Sequence, residues 1–181
     1  MNAQGETARK TRVLRAPRWL RAVCVPLVLA ALILCLRLFL FDVRPVSGES
    51  MRPTLMEGEW VLVSRTVYSL RAPRYGELVV CHPKKIAETW IKRVVGLPDD
   101  ILRAEDGVLY RNDLPVPEPY LATATTPFSP IKAWEDEYLL LGDHRESSAD
   151  SRVAGIGAIK REELVGRAVL VIWPPSSWRA L

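Results

Sequence analysis

Ala22 to Phe41 is a run of twenty residues, apolar throughout except for Arg37, with Pro26 near its start. As a helix rising about 1.5 Å per residue, it is roughly 30 Å long, the thickness of one bilayer core. Arg37 lies close enough to the far end to snorkel to the interface. Before the run, residues 1–21 carry Arg9, Lys10, Arg12, Arg15, Arg18 and Arg21 against the single acid Glu6. The formal charge of +4 on 181 residues therefore belongs to this short tail, and the rest of the chain is close to neutral. A basic flank beside an apolar span is a topology signal, not a nucleic-acid footprint. It keeps the N-terminus in the cytoplasm and puts residues 42–181 outside, against the lipid bilayer. No A-x-A-like site follows Phe41, and Leu34 stands where a lipoprotein cut before Cys35 needs a small residue. The expected organisation is a basic tail (1–21), a retained transmembrane anchor (22–41) and one extracytoplasmic domain (42–181).

Cys24 and Cys35 fall in the apolar run and Cys81 stands alone outside it, so the domain has no disulfide framework. His82 and His144 lack ligand-spaced partners. The expectation is no metal and no cofactor.

Beyond Phe41 the chain reads as short strands. Trp60–Val63, Glu77–Cys81, Trp90–Val95, Tyr138–Leu141 and Leu164–Trp173 are rich in β-formers and bounded by turn residues. Ile101–Arg103 and Val108–Arg111 flank Glu105-Asp106-Gly107, a hairpin signal. Residues 112–131 hold five prolines, which suit loop or sheet edge. No long stretch of the domain keeps a 3.6-residue period. The expected class is mainly β, a folded antiparallel sheet or barrel-like catalytic domain behind one N-terminal transmembrane helix.

Ser50 follows the permissive Gly48 and precedes the stiffening Pro53. A serine hydroxyl needs a base before it can attack. Lys92 lies inside an apolar strand, and alternation puts it on one face with Trp90 and Val94 while Arg93 shares the other with Ile91 and Val95. Burial lowers a lysine pKa. A shift from 10.4 to about 8 costs roughly 3 kcal/mol, which a packed core can sustain.

Three ordered strings carry more than either residue alone: Ser47-Gly48-Glu49-Ser50-Met51-Arg52-Pro53-Thr54-Leu55, Ile91-Lys92-Arg93-Val94-Val95-Gly96-Leu97-Pro98-Asp99-Asp100, and Gly142-Asp143-His144-Arg145-Glu146-Ser147-Ser148-Ala149-Asp150-Ser151-Arg152. In this order behind a membrane anchor they resemble the type I signal peptidases, over roughly residues 20–175. The resemblance implies a Ser-Lys dyad that removes signal peptides from preproteins, with Ser50 as nucleophile, Lys92 as general base and Ser148 orienting the base. It implies ion pairs of Arg93 with Asp143 and of Asp150 with Arg152. Val46, Met51, Trp90 and Ile91 are implied to line shallow substrate pockets. The oxyanion is implied to rest on the Ser50 backbone N–H, and some members add a serine hydroxyl two residues earlier, where this chain has Gly48. Asp99 stands where the family usually has glycine, a position aspartate tolerates at left-handed φ. His144 stands where asparagine is common and is not read as a triad histidine. Only about 45 residues separate the lysine and second-serine motifs, as in the compact members without an extra β-domain. Three other readings remain open. One is a mitochondrial inner-membrane peptidase, although the complete D-S-R string and the basic tail lean bacterial. Another is a self-cleaving repressor-type protease, a group that lacks a membrane anchor. The last is an inactive membrane-tethered domain that only holds preproteins.

Overall fold

The computed structural model describes residues 18–181, so most of the expected basic tail lies outside the described residues. The chain divides into two compact units, Met1–Leu36 and Arg37–Leu181. Helix α1 runs Arg18–Leu40 and contains Pro26. Its described side chains, residues 22–35, 39 and 40, are all apolar, and all but the half-buried Leu40 are exposed. Over the described residues no helix is long and apolar enough to cross a membrane.

The second unit is antiparallel β throughout. In chain order it holds β1 (Phe41–Pro45), β2 (Trp60–Ser64), a single helical turn α2 (Val67–Leu70), β3 (Leu78–Cys81) and β4 (Trp90–Gly96). There follow β5 (Ile101–Glu105), β6 (Val108–Arg111), β7 (Leu114–Pro115), β8 (Phe128–Lys132) and β9 (Glu137–Leu141). Last come β10 (Ile159–Lys160), β11 (Leu164–Trp173) and β12 (Arg179–Ala180). The larger sheet has the order β1-β2-β11-β3-β4-β9-β10, with β12 paired to β11. The smaller has the order β7-β6-β5-β8.

The strands read from sequence appear within a residue or two at either end. Asp106 and Gly107 turn the β5–β6 hairpin with both φ angles positive, +50° and +81°, the geometry a two-residue loop needs to match strand twist. The proline-rich segment supplies only β7 and β8, the two edges of the smaller sheet. Proline is tolerated there because an edge strand can spare a donor. Strands β1, β10 and β12 carry no sequence signal of their own. Asp42, Arg44 and Pro45 spoil the pattern of β1, and the other two are two residues long.

The core falls into three clusters, and β4 divides them. Val46, Met51 and Leu55 pack with Val61, Val63, Val80 and Val171 beneath β2, β3 and β11. Val79, Cys81, Trp90, Val94 and Leu140 form the second cluster. Val95, Leu139 and Leu141 join Leu102 and Leu109 of the smaller sheet in the third. In the register of β3 against β4, Val79 faces Lys92 and Cys81 faces Trp90. Lys92 therefore shares a face with the second cluster.

Buried carboxylates brace the loops. Glu77 accepts from Tyr68 Oη at 3.2 Å and from the Arg74 N–H at 3.1 Å, and pairs with Arg71. Burial raises its pKa, but Arg71 and the Arg74 N–H outweigh that and hold the carboxyl below its usual range. Glu59 is lowered chiefly by its hydrogen bonds from Arg179. A carboxyl depressed in the folded state contributes stability that is complete above the unfolded value, about 4.3, and is lost as pH falls through the folded value. Urea midpoints should therefore hold steady from pH 7 to about 5 and fall below about 4.3. Glu77→Gln should lower the midpoint at pH 7 and flatten that acid slope.

Candidate active site

The loop 46–59 between β1 and β2 carries Ser50. Its neck is closed by the Val46 N–H donating to Glu59 O at 2.7 Å and the Gly58 N–H to Val46 O at 3.0 Å. Met51 and Leu55, both fully buried, pin its crown into the first core cluster. β4 brings Lys92 up beneath it. Lys92 is 3% exposed, with Nζ 2.7 Å from Ser50 Oγ and 3.2 Å from Ser148 Oγ. Burial pushes the Lys92 pKa down to about 8, against the pull of Asp150 and Asp143 and with a smaller push from Arg152. A neutral amine at that distance can accept the hydroxyl proton.

Ser148 comes from the loop 142–152 after β9. Asp150, fully buried, takes a bidentate pair from Arg152, Nε to Oδ1 and Nη2 to Oδ2, both at 2.8 Å. Burial would raise the Asp150 pKa, but Arg152, the Gly142 N–H and the Ser148 hydroxyl hold it below the usual range. With the Ser148 hydroxyl donating a hydrogen bond to Asp150, its oxygen is free to accept from Lys92 Nζ. Asp143 takes Arg93 Nε at 2.8 Å and Nη2 at 2.6 Å.

With this geometry in place, similarity to known proteins becomes specific. The profile of "Signal peptidase, peptidase S26" matches residues 17–173. A signal peptidase I of Bacillus amyloliquefaciens is 36% identical over 180 residues, 93% of this chain and 92% of its own. A probable signal peptidase I-2 of Synechocystis is 33% identical, over 96% of this chain and 82% of its own. The chain belongs to the signal peptidase S26 family. A solved signal peptidase I from Enterococcus faecalis aligns with a TM-score of 0.49 at 25% identity, covering 54% of this chain and 97% of its own.

In this S26 peptidase, a family of serine endopeptidases, the four residues expected at the substrate line one cleft. Val46, Met51, Trp90 and Ile91 share about 300 Å³ with Pro45, Ser47, Glu88 and Thr89. Gly48 has φ +78°, and a Cβ there would meet nothing within 4 Å. A side chain at position 48 is thus free of clash but must adopt left-handed backbone, costing about 1–2 kcal/mol. The Gly48 N–H donates to Glu57 Oε1 at 3.3 Å, so it already has an acceptor. His144 ties the two loops by its backbone, its N–H donating to Ser50 O at 3.0 Å. Its Nδ1 is buried and bonds to nothing among the described residues, so it lacks the carboxylate a catalytic histidine relies on. Among the described residues no three His, Cys, Asp or Glu side chains are grouped to hold a metal.

Sequence reasoning passed over several supports of this S26 site. Thr54 Oγ1 donates to Asp143 Oδ2 at 2.5 Å, and Arg179 Nη2 donates to Thr54 O at 2.6 Å while pairing with Glu59 at 2.7 Å. No local pattern links residues 54 and 179. Gly142 had a signal, since it opens the third motif, but not one that revealed its role. A Cβ there would lie 2.2 Å from Ser148 Oγ and 2.5 Å from Ser50 O. Gly142→Ala should therefore cut kcat about 100-fold, the scale of a misplacement near 1 Å. The domain should stay folded by circular dichroism. Unchanged kcat would mean the two loops part without consequence.

Proposed function

We propose that this chain is a membrane-anchored signal peptidase that cuts signal peptides from exported preproteins, with Ser50 as nucleophile and Lys92 as general base. The observation that carries the reading is the buried Lys92 amine 2.7 Å from Ser50 Oγ. A lysine with a pKa of about 8 has a usable fraction of free base near neutral pH.

The peptide binds extended against the cleft beside Ile91 and Val46, as strand addition allows. Small side chains at the −1 and −3 positions, both before the cut, fit a cleft floored by Met51 and Trp90. Lys92 takes the Ser50 proton and Ser50 Oγ attacks the scissile carbonyl. The Ser50 N–H faces the developing oxyanion, and the Gly48 position supplies no hydroxyl beside it. Protonated Lys92 then gives its proton to the leaving amine, the new N-terminus of the mature protein. Water, activated again by Lys92, releases the acyl group from Ser50. Ser148 keeps the amine aimed through these steps. Arg93–Asp143 and Arg152–Asp150 act as scaffold.

The apolar run at 22–41, with its basic flank, is the anchor, crossing the plasma membrane once with the N-terminus in the cytoplasm. Its side chains are apolar and exposed, and lipid supplies them a partner.

Ser50→Ala and Lys92→Ala should each abolish cleavage of a synthetic A-x-A signal peptide by the detergent-solubilised protein. Lys92→Arg should fail too, because a guanidinium stays charged. For the wild type, kcat/KM should rise with pH through a midpoint of about 8, since the deprotonated amine is the active form. A midpoint near 6.5 that vanished in His144→Ala would overturn the reading.

A further inference from the structure

One fully buried charge in the domain takes no part in the chemistry just described. The Arg145 side chain is 0% exposed. Its guanidinium donates through Nη1 to Glu118 Oε2 at 2.8 Å and through Nη2 to Glu118 Oε1 at 2.5 Å. Nη1 also donates to Thr125 Oγ1 at 2.5 Å, and Nε donates to Gly142 O at 3.0 Å. Glu118 and Thr125 belong to the proline-rich segment between β7 and β8, and Gly142 begins the loop that carries Ser148. A guanidinium is planar and cannot serve acceptors on two segments unless both are held in its plane. Arg145 therefore fixes one segment against the other.

The same segment makes further ties. Tyr120 Oη donates to Glu118 Oε1 at 2.6 Å. The Tyr120 ring centre lies 3.9 Å from the guanidinium carbon of Arg93, which holds Asp143. On the far side, Arg145 O accepts from Arg152 Nη2 at 2.8 Å, and Arg152 holds Asp150. The Gly142 N–H also donates to Asp150 Oδ2, at 3.0 Å. Gly142 thus has its carbonyl held by Arg145 and its N–H by Asp150, and its Cα faces Ser148 too closely for any side chain.

We propose that Glu118 is a positioning residue of the active site: acting through Arg145, it holds the Gly142 carbonyl and so sets Ser148 and Asp150 against Lys92. This rests on the reading of Ser50 and Lys92 as nucleophile and base. Without the Glu118 carboxylate, Arg145 carries an uncompensated buried charge and turns toward water, drawing the 142–152 loop with it. The charged and titratable groups facing Lys92 are Asp150 and Arg152 from that loop, Asp143 beside Arg93, and Cys81 on β3. A loosened loop admits water to the amine and weakens its aim, so the base becomes harder to deprotonate and slower to act.

The test uses the full detergent-solubilised chain and a synthetic A-x-A peptide. Glu118→Gln should lower kcat about 10- to 100-fold with KM changed less than twofold. It should move the midpoint of the kcat pH profile upward from about 8, so that the deficit shrinks at alkaline pH. Amide hydrogen exchange should quicken in residues 142–152 and not in β2 or β11. Glu118→Asp keeps the charge at shorter reach, guards against misfolding of the glutamine variant, and should shift all three readouts the same way but less. The double variant Glu118→Gln/Arg145→Gln should lose no more kcat than Arg145→Gln alone, because Glu118 acts through Arg145. A wild-type kcat in Glu118→Gln, unchanged exchange in 142–152, or multiplicative losses in the double variant would each overturn the proposal. So would a loss of rate equal at every pH and matched by a loss of folded protein, which marks a purely structural brace. Residual cleavage by Lys92→Ala would strike at the dyad instead, and the exchange result would still decide the Glu118 tie.

Discussion

An amine can give up its proton readily near neutral pH only if water is kept from it and neighbouring anions are answered by other cations. Both conditions meet at β4. The strand lies between β3 and β9, and Lys92 emerges among Val79, Trp90 and Val94 with almost no exposure. Two aspartates stand near enough to pull its pKa back up. Each is claimed by an arginine instead, Asp143 by Arg93 and Asp150 by Arg152. The density of charge in the third motif follows from this need, since each ion pair turns a buried charge near Lys92 into a local dipole.

Strand alternation makes one short run serve two purposes. Lys92 points to the face where Ser50 sits, while Arg93 points the other way and wraps to Asp143, the Gly76 carbonyl and Tyr120. Adjacent residues thus supply the buried amine and hold Asp143 at the start of the loop that carries Ser148. The loop of Ser50 is held in the same indirect way. Met51 and Leu55 anchor it in the core, Thr54 ties it to Asp143, and Arg179 from the last strand closes it against Glu59. The Ser50 hydroxyl is on a loop, but one restrained at several points by buried groups.

Much of this was legible before any coordinates. The β4 sequence shows its burial pattern and its two faces directly, because Trp90, Val94 and Val95 leave little choice of orientation. The Asp106-Gly107 turn follows from which residues accept positive φ. Meeting of Ser50, Lys92 and Ser148 was readable only through resemblance, since 42 and 56 residues separate the lysine from the two serines and no local rule spans such gaps. The supports at Gly142, Glu118 and Arg179 were not legible. Their importance lies in distances between segments far apart in sequence, and their residue types are common in turns and on surfaces. Strands β1 and β12 were missed because pairing with β2 and β11, and not their own pattern, makes them strands.

Cys81 lies across from Trp90, fully buried, and its thiol is pushed up to about 12, chiefly by that burial. A thiol held there stays protonated in ordinary media and carries almost no thiolate, the form that reacts with oxidants, disulfides and alkylating reagents. With no other cysteine in residues 37–181, the folded domain has nothing to gain or lose by a change in redox environment. Its folded state is indifferent to reductant, and reagents that silence cysteine proteases pass by a sulfur that lies one strand away from the lysine.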